Sequence, residues 1–156
     1  MRLNLLSLLT MLAALALLLL AGCGEKKGEE TRFTTLYNGT FKTNCAQCHY
    51  PNSPHNNDYN LQVDFSTIDN AYSSLTTLKS VDASQGSEAK CAGINLVVAA
   101  NPSSSFLLTR IDDAYCTPNY ANKVGCTPTK HSEGKTAISA AEKASIIAWI
   151  NEGAQK

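Results

Sequence analysis

Residues 45–49 read Cys-Ala-Gln-Cys-His, and this motif constrains the fold more than any other part of the chain. Two cysteines separated by two residues and followed at once by histidine form the C-x-x-C-H pattern that attaches a c-type haem. The thiols add to the vinyl groups of the porphyrin, and the histidine becomes an axial ligand of the iron. Because the motif occurs once, we expect one haem and a fold that wraps round it.

Zinc binding and thiol redox exchange are the alternative uses of a cysteine pair. A zinc site needs a second pair of Cys or His ligands. The candidates for that pair are His55, His131, Cys116 and Cys126. Their spacing fits no common zinc ribbon. A thioredoxin-like redox pair is typical of a βαβ unit, and the sequence pattern contains none, so haem attachment is the favoured interpretation.

The N-terminal segment has the features of a cleaved targeting sequence. Arg2 precedes an apolar run from Leu5 to Ala21, which is 17 residues long. A membrane anchor is the alternative interpretation, but the run is at the lower length limit for a spanning helix. It also ends in small residues directly before Cys23, as a cleavage site does.

The stretch Leu20-Ala21-Gly22-Cys23 resembles the lipobox of bacterial lipoproteins. The resemblance implies cleavage before Cys23 and lipid attachment to it, so that several acyl chains hold the protein on a membrane. Gly24, where Asp would signal inner-membrane retention, favours the outer membrane. The polar residues that follow predict a flexible tether, about 30 Å long when extended. The expected organisation is a signal peptide (1–22), a lipidated cysteine with tether (23–32) and one domain (33–156).

Helical periodicity dominates the domain. Phe33, Tyr37 and Phe41 recur every four residues, which predicts a helix that leads into the cysteine motif and ends near His49. A second helix is predicted over about residues 67–78, from apolar residues at helical spacing.

Two more helices are predicted towards the C-terminus. Asn101 as a cap and Pro102 in the first turn predict a helix that ends near Asp113, and a long loop follows it. The last helix, over about 140–151, opens with a capping box. Its isoleucines form an apolar stripe, with Trp149 at the flank of that stripe. The predicted fold class is therefore all-α, a small helical domain wrapped round one covalently bound haem.

Four segments give the chain a resemblance to class I-like monohaem cytochromes c of the bacterial envelope. They are Phe41 before the haem motif, AYSSL (71–75), VVAANPSSSFLLTRI (97–111) and HSEGKTAISAAEKASIIAWINEGA (131–154). The last two are similar to family segments of the form V-x-P-G-x-P-x-x-S-x-L and M-P-x-G-x-x-x-L-S. The resemblance implies a cytochrome c-like fold and an electron carrier.

The distal side of the iron is where the chain departs from that family, which uses the methionine of the Met-Pro pair. Met1 and Met11 are the two methionines of the sequence, and both lie in the segment expected to be removed. His131 stands eight residues before Ser139, where the family methionine falls, so the resemblance implies that His131 is the distal ligand. His55 is the main alternative; Lys130, Lys135 and an open coordination site are others.

Two histidine ligands predict a particular kind of haem. Imidazole stabilises ferric iron more than a thioether does, so we expect a lower reduction potential than in a His/Met cytochrome. A filled sixth position also keeps out carbon monoxide and peroxide. The expected function is electron transfer without catalysis, and a haem enzyme or sensor with an exchangeable sixth ligand is the alternative.

Three cysteines remain in what is expected to be an oxidising compartment. Cys116 with Cys126 would close the long loop before His131, and Cys91 with Cys126 is the other pairing. The sequence does not choose between them. We expect either bridge to restrain the segment that carries His131.

The partners follow from charge and anchoring. The formal net charge is zero, with 13 basic and 13 acidic residues, so no strong field points to nucleic acid. We expect the protein on the periplasmic side of the bacterial envelope, attached to a membrane through Cys23, where it exchanges electrons with other redox proteins.

Overall fold

The computed structural model describes residues 31–54, 63–80, 90–128 and 137–156. The first helix, α1, covers residues 32–44 in three consecutive pieces: an α-helical turn at Arg32–Leu36, a π-helical turn at Tyr37–Phe41 and a last α-helical turn at Lys42–Asn44. The Thr31 side chain caps it by accepting a hydrogen bond from the Thr34 N–H at 3.2 Å. Arg32, which the sequence assigned to the tether, therefore belongs to the first turn of the domain.

The π-helical turn accounts for the four-residue spacing of the aromatic stripe. An α-helix repeats every 3.6 residues, so a strict four-residue repeat would drift round its surface. A wider turn corrects that drift. As a result Phe33, Tyr37 and Phe41 are all buried, and the rings of Phe33 and Phe41 lie 6.0 Å apart.

Three further α-helices follow: α2 at Ile68–Thr77, α3 at Phe106–Ile111 and α4 at Ala140–Asn151. The described ranges contain no β-strand, and one isolated antiparallel bridge joins Lys79 to Asn95. An all-α fold class is thus confirmed at the level of helical content. None of the helices in these ranges is long and apolar enough to cross a membrane.

The predicted helix after Asn101 is divided in two. Asn101 does cap a first turn, since its Oδ1 accepts from the Ser104 N–H at 3.2 Å, but that turn is a 3-10 helix at Pro102–Ser104. The backbone then breaks at Ser105, whose hydroxyl donates to the carbonyl of Asn101 at 2.9 Å. α3 starts after this break.

α4 agrees with the sequence prediction in both bounds and cap. Ser139 and Glu142 exchange the reciprocal hydrogen bonds of a capping box. At the other end Gly153 has a φ of +94°, a left-handed conformation that glycine adopts without strain. Arg32 of α1 forms an ion pair with Glu152 there, with Nε and Oε2 2.7 Å apart, so the start of α1 and the end of α4 lie together.

The main core lies between α1, α2 and α4. Trp149 is at its centre, 1% exposed, with its ring 5.1 Å from that of Phe33. The prediction that Trp149 flanks an isoleucine stripe is therefore wrong, because Ile146, Trp149 and Ile150 form the buried face and Ile147 is half-buried. The buried tryptophan N–H donates to the carbonyl of Gln155 at 2.6 Å, which satisfies its one polar atom.

A smaller core surrounds a disulfide between Cys91 and Cys126. Both half-cystines are fully buried and pack with Ile94, Phe106 and Tyr120. Of the two pairings left open by the sequence, Cys116 with Cys126 is wrong. Cys116 keeps its thiol, which donates to the carbonyl of Thr109 at 3.2 Å.

Removing this disulfide should lower the free energy of unfolding by about 2–4 kcal/mol, since the bridge closes a long loop of the unfolded chain. The test is urea unfolding of the Cys91→Ala/Cys126→Ala protein beside Cys116→Ala, which should lose much less. Wild-type protein in reductant should approach the double variant. Peptide mapping that found Cys116 joined to Cys126 would contradict the pairing.

Candidate cofactor site

The Cys-x-x-Cys-His motif forms a tight turn at the C-terminal end of α1. The carbonyl of Phe41 accepts from the N–H groups of both Cys45 and Ala46, at 2.8 and 3.1 Å. The carbonyl of Cys45 accepts from the N–H groups of Cys48 and His49, at 3.2 and 2.9 Å. The motif therefore continues the helical path of α1 for one more turn, although the helix proper ends at Asn44 rather than near His49.

Cys45 and Cys48 are not joined in a disulfide, and both are half-buried, as is His49. Cys45 and Ala46 pack against the main core, while the next residue, Gln47, is exposed. The turn thus has one side on the core and one side outward.

Phe65 holds His49 from the neighbouring segment. Its N–H donates to the carbonyl of His49 at 2.7 Å, and its carbonyl accepts from the hydroxyl of Tyr37 at 3.2 Å. Its ring lies 6.0 Å from the imidazole of His49 and 5.6 Å from the ring of Phe41. Phe65 was not predicted as a site residue, because Leu61, Val63 and Phe65 alternate with polar residues instead of recurring at helical spacing, and no motif includes Phe65.

The Cys45 thiol is in an environment that disfavours the thiolate. Burial, with a smaller contribution from the Cys48 thiol, raises the pKa of Cys45 to about 12. Reactive cysteines of redox pairs have thiol pKa values below the ordinary one, because positive charge or a helix N-terminus stabilises the thiolate. The environment of Cys45 is the opposite of theirs.

The donor groups at the motif suit some cofactors better than others. A metal ion held by side chains alone needs donors that converge on one point. In the four described ranges, no three His, Cys, Asp or Glu side chains converge in this way. Two separate thiols followed by a histidine, beside an apolar core, do suit a cofactor that is attached at two points and ligated at a third.

An unsatisfied polar atom lies directly beside the motif. Asn44 precedes Cys45, and its Oδ1 is buried without a hydrogen-bond partner among the described residues. Buried polar atoms are seldom left unpaired in a complete protein.

Other predicted site residues lie outside the described residues. These are the lipidation site Cys23, the distal ligand His131, and the alternatives His55, Lys130 and Lys135. Their roles stay predictions. The described part of the candidate site therefore consists of Cys45, Cys48 and His49, with Phe65 and Asn44 beside it.

The chain matches no protein-family model, no curated protein and no solved structure.

Proposed function

We propose that the protein is a lipid-anchored, monohaem c-type cytochrome that carries electrons in the bacterial envelope. The observation that supports this most is the turn at 45–49: two thiols and a histidine, one helical turn long, at the end of a helix whose apolar face belongs to the main core. A c-type haem needs these three groups, in this order and spacing.

The residues of the turn would divide the work of holding the cofactor. Cys45 and Cys48 would hold the haem by two thioether bonds, and His49 would be the proximal ligand of the iron. When bound, the haem supplies a one-electron couple between ferric and ferrous iron. Phe65 fixes the backbone of His49, and partly buried apolar side chains on the main core, among them Val63, Leu107 and Ile111, offer an apolar surface.

His131 is the proposed distal ligand, on the resemblance described above and on the absence of methionine from the expected mature chain. The proposal includes anchoring through lipid on Cys23, on the periplasmic side and favouring the outer membrane, and redox proteins of the envelope as partners. Bis-histidine ligation implies a closed, low-potential haem.

Replacing His131 with alanine should open the sixth position and make the ferric protein bind added cyanide or imidazole readily, while the haem stays attached through Cys45 and Cys48. Optical absorption and EPR spectra of the purified holoprotein, wild type beside His131→Ala, measure this. The wild type should be low-spin, lack the weak ferric band of thioether ligation and bind carbon monoxide slowly.

Two results would change the assignment. Unchanged spectra in His131→Ala, with His55→Ala altered instead, would move the distal ligand to His55. High-spin ferric iron with turnover of peroxide in the wild type would favour a haem enzyme over an electron carrier.

A further inference from the structure

The carboxylate of Glu142 connects the beginning of α4 to the end of α1. Its Oε2 accepts hydrogen bonds from the N–H and the hydroxyl of Ser139, at 2.8 and 2.7 Å. Its Oε1 accepts from the hydroxyl of Thr40 at 3.1 Å, and from the amide of Asn44 at 3.5 Å. One oxygen thus closes the capping box of α4, and the other contacts α1.

The contacts on α1 lie directly before the cysteine motif. Thr40 is buried in the π-helical turn, and Asn44 is the residue before Cys45. Phe41 is the residue after Thr40, and its carbonyl accepts the hydrogen bonds from Cys45 and Ala46 with which the turn at 45–49 starts. A movement of α1 at Thr40 and Asn44 would therefore move the attachment turn as well.

Glu142 is a carboxylate at neutral pH. Hydrogen bonds from the Ser139 N–H and hydroxyl, and more weakly from Thr40 and Asn44, hold the pKa of Glu142 below its ordinary value near 4.5, against a smaller opposing effect of burial. Hydrogen bonds to a charged acceptor are about twice as strong as neutral ones. A capping box alone uses the side of the carboxylate that faces Ser139, so the contacts to α1 need another explanation.

We propose that Glu142 is a positioning residue for the cofactor. By fixing the end of α1 against α4, its carboxylate holds the turn at 45–49, and with it the imidazole of His49, in one orientation. This inference rests on the haem function proposed above. Glu142 acts through Thr40 and Asn44.

Thr40→Val and Glu142→Ala test the link, and Ser139→Ala is the matched control, since it weakens the cap and leaves the donors on α1 in place. Two quantities are measured on each holoprotein: amide hydrogen exchange of peptides that cover residues 41–50, and the ferric EPR g-values, which report the orientation of the axial imidazole. Asn44→Ala replaces Thr40→Val if the latter does not fold.

We expect the amides of Cys48 and His49 to exchange about tenfold faster in Thr40→Val than in the wild type. A tenfold change is what the loss of one charge-assisted hydrogen bond gives in an opening equilibrium. The g-values should shift in the same variant. Glu142→Ala should show both effects. Thr40→Val/Glu142→Ala should show no larger effects than Glu142→Ala alone, because the two residues act through one hydrogen bond. Ser139→Ala should match the wild type in both measurements.

The inference is wrong if Thr40→Val leaves the g-values and the exchange unchanged, or if Ser139→Ala alters them as much as Glu142→Ala does. In the latter case the carboxylate stabilises α4 and nothing more. A wild-type protein without covalent haem would overturn the proposed function itself. The exchange of residues 41–50, which can be followed without haem, would still show whether Glu142 holds the turn.

Discussion

A Cys45→Ser/Cys48→Ser protein is expected to lose all covalently bound haem. A hydroxyl does not form the thioether that joins the chain to the porphyrin, so a haem held by His49 alone would dissociate when the chain unfolds. Two measurements check this: haem staining after a denaturing gel, and the mass of the intact chain, which should show one haem on the wild type and none on the variant. Expression needs a host that attaches c-type haem outside the cytoplasm.

Single variants and a matched control sharpen this result. Cys45→Ser and Cys48→Ser should each keep one thioether and less haem, whereas Cys116→Ser should keep the wild-type amount, because Cys116 lies outside the motif. A wild-type chain that carries no haem but binds zinc, or that forms a disulfide between Cys45 and Cys48 in a redox cycle, would contradict the proposed function.

Replacing Trp149 with alanine is expected to lower the free energy of unfolding by about 3–5 kcal/mol, as truncations of a large buried aromatic residue do. Its ring packs on Phe33 at 5.1 Å, and its N–H holds the chain end through the carbonyl of Gln155. The loss combines a cavity between α1 and α4 with a carbonyl left without its donor. Urea unfolding followed by circular dichroism measures it.

Val124 offers the control for this measurement, since it is 86% exposed. Val124→Ala should change the free energy of unfolding by less than about 0.5 kcal/mol, as surface substitutions usually do. Equal stability losses in the two variants would mean that Trp149 does not lie in the core. A loss in Trp149→Ala confined to the chain end, with the main transition unchanged, would mean the same.

The parts of the fold that local sequence determines were predicted well. α2 and α4 begin at side chains that cap them, Thr67 and Ser139. α2 is amphipathic, whereas α4 is recognised by its capping box and its high content of apolar residues. Such helices are recognisable because the cap and the apolar residues lie within a few turns of one another in the sequence. The candidate attachment motif, Cys45 to His49, is likewise local, since it was proposed from five consecutive residues, and its role stays a prediction.

Features that depend on distant residues could not be predicted. Cys91 and Cys126 are 35 positions apart, and the path of the chain between them decides that they pair. The central place of Trp149 depends on the approach of α1, which contributes Phe33. The contact between Thr40 and Glu142 joins residues 102 positions apart, and nothing in either local sequence indicates it.

The length of α1 determines the distance between the turn at 45–49 and the point where the expected tether joins the domain. From Arg32 to Cys45 the chain rises by about 20 Å, at about 1.5 Å per helical residue. The ion pair between Arg32 and Glu152 places the C-terminal end of α4 beside the first turn of α1, the end at which the expected tether joins the domain. If the proposed lipid anchor is present, a reporter fused to the C-terminus would thus be carried at the tether end, away from the turn at 45–49 that the proposed redox partner would approach.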